Sequence, residues 1–118
     1  MILSVDYGET IAYSLFSLGG KHYLSGSCDD IYIALRLLQT FPVSKLVIEK
    51  NNFNDSHRFQ RQIVLLEETC EKFNIPIDYV YPSTWKHSFA KSIKYRPDKH
   101  TVDSYRIGMY HIIKESKK

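Results

Sequence analysis

The hydrophobic pattern of this 118-residue chain changes period near residue 27. That change calls for a β meander first and alternating helices and strands after it. Ile2-Leu3-Ser4-Val5-Asp6 reads as a buried strand, and Asp6-Tyr7-Gly8-Glu9-Thr10 supplies turn residues. Two further runs, 11–18 and 21–25, flank Gly19-Gly20 at the spacing of a tight hairpin. Beyond Ser27-Cys28-Asp29-Asp30, which offers capping groups, Ile31, Ala34, Leu35 and Leu38 recur at helical spacing until Pro42. Residues 45–49 form a short apolar run suited to a parallel strand. A helix capped by Asp55 or Ser56 then carries Phe59, Ile63, Leu66, Cys70 and Phe73 as one amphipathic stripe. A fifth strand is expected over 75–81, stopped by Pro82, followed by a short helix over 83–92 and a basic loop through Pro97. The final helix, about 99–114, is expected to bury Val102, Tyr105, Met109, Ile112 and Ile113. The fold class is therefore α/β, with a five-stranded mixed sheet of three antiparallel and two parallel strands flanked by helices.

A chain of this length fits one domain with one core, spanning residues 1–118. Cys28 and Cys70 have no short metal-binding spacing; two free thiols of a reducing compartment, or one disulfide, both fit. No apolar run approaches membrane-spanning length, and the first residues resemble a strand more than a cleavable leader. A soluble cytoplasmic protein without membrane contact is expected.

Charge is divided unevenly. Residues 1–81 hold seven Lys/Arg against ten Asp/Glu, whereas residues 82–118 hold nine against three. In the basic part, charges alternate with aromatics, as in Trp85-Lys86-His87-Ser88-Phe89 and Lys91-Ser92-Ile93-Lys94-Tyr95-Arg96. Such a segment neutralises phosphates and offers flat faces to bases, so a nucleic acid is the expected partner. A solvated basic tail is the plainer alternative.

Asp6 ends the first strand, Glu49 ends the fourth, and His100 and Asp103 stand three residues apart at the start of the last helix. The element order resembles that of a ribonuclease-H-like domain, in which the first and fourth strands are neighbours near the sheet centre, and this would bring both carboxylates to one edge. Residues 100, 103 and 107 share a helix face. Three carboxylates and an imidazole meeting there would hold hard divalent cations, the arrangement that phosphodiester hydrolysis uses. Each residue also has an ordinary reading: Asp6 as a turn former, Glu49 as a strand end, and His100/Asp103 as a surface pair. His22, His57, His87 and His111 are taken as incidental.

Several short motifs resemble the RuvC-type Holliday-junction resolvases of the ribonuclease-H-like superfamily. Val5-Asp6-Tyr7-Gly8 resembles the family's opening strand, and Ile48-Glu49 resembles the strand ending in its catalytic glutamate. Tyr81-Pro82-Ser83-Thr84-Trp85-Lys86 is similar to its proline-then-lysine segment. Lys99-His100-Thr101-Val102-Asp103 resembles its terminal motif, in which an Asp or His precedes an Asp by three residues. Tyr7 stands where the family commonly has proline, and the Gly-rich stretch after the proline-lysine segment is reduced to His87-Ser88-Phe89-Ala90.

The resemblance implies a ribonuclease-H-like fold and a homodimer that nicks opposed strands of a four-way DNA junction with Mg²⁺, or Mn²⁺ in its place. Asp6, Glu49, His100 and Asp103 would be its catalytic and metal-binding set. Lys86, Lys91, Lys94, Arg96 and Lys99 would contact phosphates, and Phe53 would stack near the crossover. By the same analogy, the helix from Ser56 to Phe73 would contribute to the dimer interface. A compact version encoded by a phage or other mobile element in a bacterial host fits the chain. A nuclease of the same fold acting on an RNA–DNA hybrid or other nucleic acid, and a non-catalytic junction-binding protein, are the alternatives.

Overall fold

The computed structural model describes residues 1–6, 11–28, 31–49, 57–81, 85 and 102–116. Within them run strands β1 (Ile2–Asp6), β2 (Ile11–Phe16) and β3 (His22–Cys28), helix α1 (Tyr32–Thr40), strand β4 (Lys45–Glu49), helix α2 (His57–Lys72), strand β5 (Ile77–Val80) and helix α3 (Val102–Ser116). The five strands form one sheet in the order β3-β2-β1-β4-β5. β1, β2 and β3 pair antiparallel, and β4 joins β1 and β5 in parallel. This is the five-stranded mixed sheet that the period change predicts, with the ribonuclease-H-like strand order.

Alternation along the strands divides the core into two layers. Leu3, Val5, Ile11, Leu15, Leu46 and Ile48 meet Ile31, Ala34, Leu35 and Leu38 of α1 and its approach, and Leu66 and Cys70 of α2. On the opposite face Ile2, Val47 and Val80 meet Ile107 of α3 and the indole of Trp85. Helices α1 and α2 thus cover one face of the sheet and α3 the other. Helix α2 stops where Asn74 turns left-handed at φ 56°. The amides of Asn74 and Ile75 then bond the carbonyls of Glu71 and Cys70, closing the helix end.

Several expected boundaries shift. β2 stops at Phe16, and the hairpin closes through the bond from Ser17 N–H to Lys21 O, with Gly20 at φ 94°. β3 continues through Ser25-Gly26-Ser27-Cys28, so Ser27 and Cys28 are strand residues and not helix caps. Gly26 allows this extension because the Tyr13 ring lies where any Cβ would be. β5 is confined to Ile77–Val80. On α2, Leu66 and Cys70 are buried, but Phe73 at the end of the expected stripe is 45% exposed. Both cysteines are free thiols, and burial pushes the Cys70 thiol up to about 11. Among the described residues, no helix is long and apolar enough to cross a membrane.

The largest correction concerns α3. Its buried stripe is Ser104, Ile107, Gly108 and His111, while Tyr105, Met109, Ile112 and Ile113 are only half-buried. A count of apolar side chains misphases this helix because three of its four sheet-facing residues are small or polar. Close approach selects them: a Cβ on Gly108 would collide with the Phe16 ring and lie 2.9 Å from Ser4 Oγ. Exchanging an interior helix glycine for alanine ordinarily gains about 1 kcal/mol. For Gly108→Ala we expect instead a loss of about 1–3 kcal/mol from overpacking, read as a lower urea midpoint in equilibrium unfolding.

Candidate active site

The centre of the sheet brings two of the expected site residues together. β1 and β4 run in parallel with Ser4 beside Val47 and Val5 beside Ile48, so Asp6 and Glu49 end the two strands side by side. Both follow by two residues a side chain that faces α3, namely Ser4 and Val47. Strand alternation therefore directs both carboxylates to the α3 face. Glu49 is buried at 7% exposure, and its Oε2 accepts a hydrogen bond from Trp85 Nε1 at 2.5 Å.

Trp85 corrects one expectation. In the sequence it looks like one of the aromatics offered to bases, yet it is 1% exposed and packs against Ile2, Val47, Val80 and Ile107. Its indole closes the core beneath the carboxylate edge and cannot serve as a stacking platform.

The third carboxylate is delivered by α3 through a run of buried hydroxyls. Ser4 Oγ donates to the carbonyl of Ser104 at 2.6 Å, and the hydroxyls of Ser14 and Ser104 are 2.8 Å apart. Ser14 Oγ also lies 2.6 Å from Ser25 Oγ, which meets His22 Nε2 at 2.6 Å. Ser4, Ser14 and Ser104 have no exposed surface, so these bonds replace the water each hydroxyl loses. They pin the first turn of α3 against β1 and β2, with Asp103 one residue before Ser104 and Asp6 two residues beyond Ser4. Asp103 stands 36% exposed, with Arg106 at 3.8 Å. The N-terminal end of a helix carries partial positive charge, which favours carboxylates gathered there.

Asp6, Glu49 and Asp103 thus occupy one edge of the sheet, at the start of α3. All three offer the oxygen donors that hard cations such as Mg²⁺ take, so their chemistry suits that ion. Their ligand atoms do not close to within 4.8 Å of one another. His100, Phe53, Lys86, Lys91, Lys94, Arg96 and Lys99 lie outside the described residues.

Two histidines taken as incidental have definite roles. His22 packs against Phe16 and Tyr105 at ring separations of 5.5 and 5.1 Å and ends the hydroxyl chain; burial lowers its pKa from the ordinary value. His111 is 3% exposed, and its Nδ1 lies 2.9 Å from Asp78 Oδ2 on β5. Burial, the largest influence, lowers the His111 pKa, with Lys45 acting in the same direction and Asp78 and Glu115 opposing it. Asp78, His111 and Glu115 hold ligand atoms within 4.8 Å of one another, the one such group of three among the described residues. The four-residue step from His111 to Glu115 is legible in the sequence as a shared helix face. Asp78, contributed by another strand, is not.

No protein-family model matches the sequence, and no curated protein matches it. Solved structures do. Thermus thermophilus RuvC superposes with a TM-score of 0.78 at 11% identity, over 98% of this chain and 95% of that one. T. thermophilus RuvC in complex with a Holliday junction substrate gives 0.75 at 11% identity, over 98% and 94%. The Fowlpox virus resolvase in complex with its substrate Holliday junction DNA gives 0.69 at 16% identity, over 97% and 99%. Strand order, helix placement and near-complete coverage agree: the chain has the ribonuclease-H-like fold of the RuvC-type resolvases.

Proposed function

We propose that this protein is a metal-dependent, structure-selective endonuclease that resolves four-way DNA junctions by paired symmetric nicks. The observation that carries the reading is the pairing of Asp6 and Glu49 at the ends of adjacent parallel strands, under the first turn of the helix bearing Asp103. The fold shared with two resolvases solved on Holliday junction DNA supports the choice of substrate. In this reading Asp6, Glu49 and Asp103 hold Mg²⁺, with Mn²⁺ able to substitute, and His100 completes the set. The bound cations would supply an activated water and neutralise charge on the departing 3′-oxygen.

The remaining work falls to the chain itself. Trp85 fixes one oxygen of Glu49, which leaves the other free of the rotamer search that an exposed glutamate makes. The serine contacts hold α3 at a set height over β1, so Asp103 keeps its place relative to Asp6. Lys86, Lys91, Lys94, Arg96 and Lys99 are proposed to grip phosphates, and Phe53 to stack beside the crossover. Their concentration after residue 82 gives this part of the chain its positive charge.

A two-fold symmetric junction calls for two active sites, and we infer that two copies associate through α2. Its outer face exposes Val64 and Leu65 between Arg61 and Glu68, lining a shallow hollow of about 470 Å³. Apolar side chains beside charges of both signs suit a self-complementary contact. We expect the purified protein to sediment as a dimer and Val64→Glu to sediment as a monomer with an unchanged circular dichroism spectrum. A monomeric wild type would remove α2 from this role.

The activity is tested by a nicking assay on an immobile four-way junction, a linear duplex and an RNA–DNA hybrid, in Mg²⁺, Mn²⁺ and EDTA. Paired nicks confined to the junction, absent in EDTA and lowered about a hundredfold or more in Asp6→Asn, are the expected result. Cutting of the hybrid would keep the site and change the substrate. Tight junction binding without cleavage in either metal would make the protein a binding module. Trp85→Phe keeps most of the core volume and removes the donor to Glu49. We expect it to cost about 1–3 kcal/mol of stability and to raise the Mg²⁺ concentration needed for half-maximal nicking.

A further inference from the structure

Eight residues beyond Asp103, and so about 12 Å further along α3, a second group of ligating side chains gathers. Asp78 belongs to the edge strand β5, in the row before Val80, whereas His111 and Glu115 share one face of the helix a turn apart. Ligand atoms of the three lie within 4.8 Å of one another, and the closest pair, His111 Nδ1 and Asp78 Oδ2, is 2.9 Å apart. In a tetrahedral zinc site, nitrogen and oxygen ligands about 2.0–2.2 Å from the ion are about 3.3 Å from each other. The observed pair needs to open by only a few tenths of an ångström to reach that separation.

The surroundings have room for an ion. His111 is buried, yet it lines two cavities. One, of about 470 Å³, is bounded by Ile2, Leu18, Lys45 and Glu115; the other, of about 190 Å³, lies between Asp78, Tyr81, Tyr110 and Lys114. Water completing a coordination shell can reach the group from either side. The C-terminal end of α3 adds partial negative charge beside Glu115.

We propose that Asp78, His111 and Glu115 form a zinc-class transition-metal site that ties the C-terminal half of α3 to β5. The imidazole sets the choice of metal, because a nitrogen ligand with two carboxylates favours Zn²⁺ and its neighbours over Mg²⁺ or Ca²⁺. Binding takes the Nδ1 lone pair, with the ring proton carried on Nε2 and the hydrogen bond to Asp78 replaced by a shared metal. This site is independent of the carboxylate edge proposed for phosphodiester hydrolysis.

The test uses the full chain, stripped with EDTA, desalted and titrated with Co²⁺ and then Zn²⁺. With excess Mg²⁺ present to occupy the carboxylate edge, we expect one Co²⁺ per chain with visible d–d absorption, displaced by Zn²⁺, and a melting temperature raised by Zn²⁺. Under the same excess of Mg²⁺, Asp6→Asn should hold this Co²⁺ as the wild type does. Glu115→Gln, at a half-buried position that tolerates the exchange, should weaken Zn²⁺ binding about tenfold, and His111→Gln about a hundredfold. Equal Zn²⁺ affinity in Glu115→Gln and wild type would overturn the proposal. So would a folded wild-type protein whose melting temperature and Co²⁺ spectrum do not respond to either metal. Neither result bears on junction nicking, so the two proposals fail separately.

Discussion

The approach of α3 to the centre of the sheet governs the arrangement of the other parts. Helix and sheet meet without a thick apolar layer between them at this point: Gly108 leaves space for the Phe16 ring, and Ser4 reaches the Ser104 carbonyl directly. Ordinary aliphatic residues at 4, 104 and 108 would hold the helix further away, since ridges of larger side chains set a wider separation. The hydroxyls that make contact possible bring their own constraint. Each must be bonded, and the chain from Ser104 through Ser14 and Ser25 to His22 supplies the partners. A polar seam of this kind fixes one register of helix on sheet, whereas an oily seam tolerates sliding.

That fixed height has an electrostatic counterpart at the top of the sheet. Parallel strands β1 and β4 end in Asp6 and Glu49, and like charges at such a distance repel. The first turn of α3 directs partial positive charge toward them, and the Trp85 indole donates to Glu49 from below. The chain therefore keeps a carboxylate at 7% exposure by supplying a donor from within its own core. At the other end of α3 the polarity reverses, and there the helix presents an imidazole and a carboxylate to Asp78.

How much of this was legible in the sequence differs from element to element. β1 and β4 could be read to the residue, because each is an apolar run that stops at a carboxylate. Those two strands place Asp6 and Glu49 side by side at their ends, as the sequence pattern predicts. α3 was located but misphased: Ser104, Gly108 and His111 face the sheet because of close contact, which leaves no mark on hydropathy. Trp85 misled for the opposite reason. Its neighbours in sequence are basic and polar, but its neighbours in space are Ile2, Val47, Val80 and Ile107. His111 was passed over because its partner Asp78 comes from β5, and such cross-element pairings exist only once the sheet has formed.

The hydrogen bond from Ser4 to Ser104 spans 100 positions of a 118-residue chain. Contacts of that sequence separation close late, after the loop entropy between them has been lost, and they slow folding relative to local pairings. The carboxylate edge is therefore completed only when the last helix docks. A nascent or partly folded chain holds Asp6 and Glu49 without Asp103 above them. The three carboxylates therefore come together only once α3 has been made and has docked.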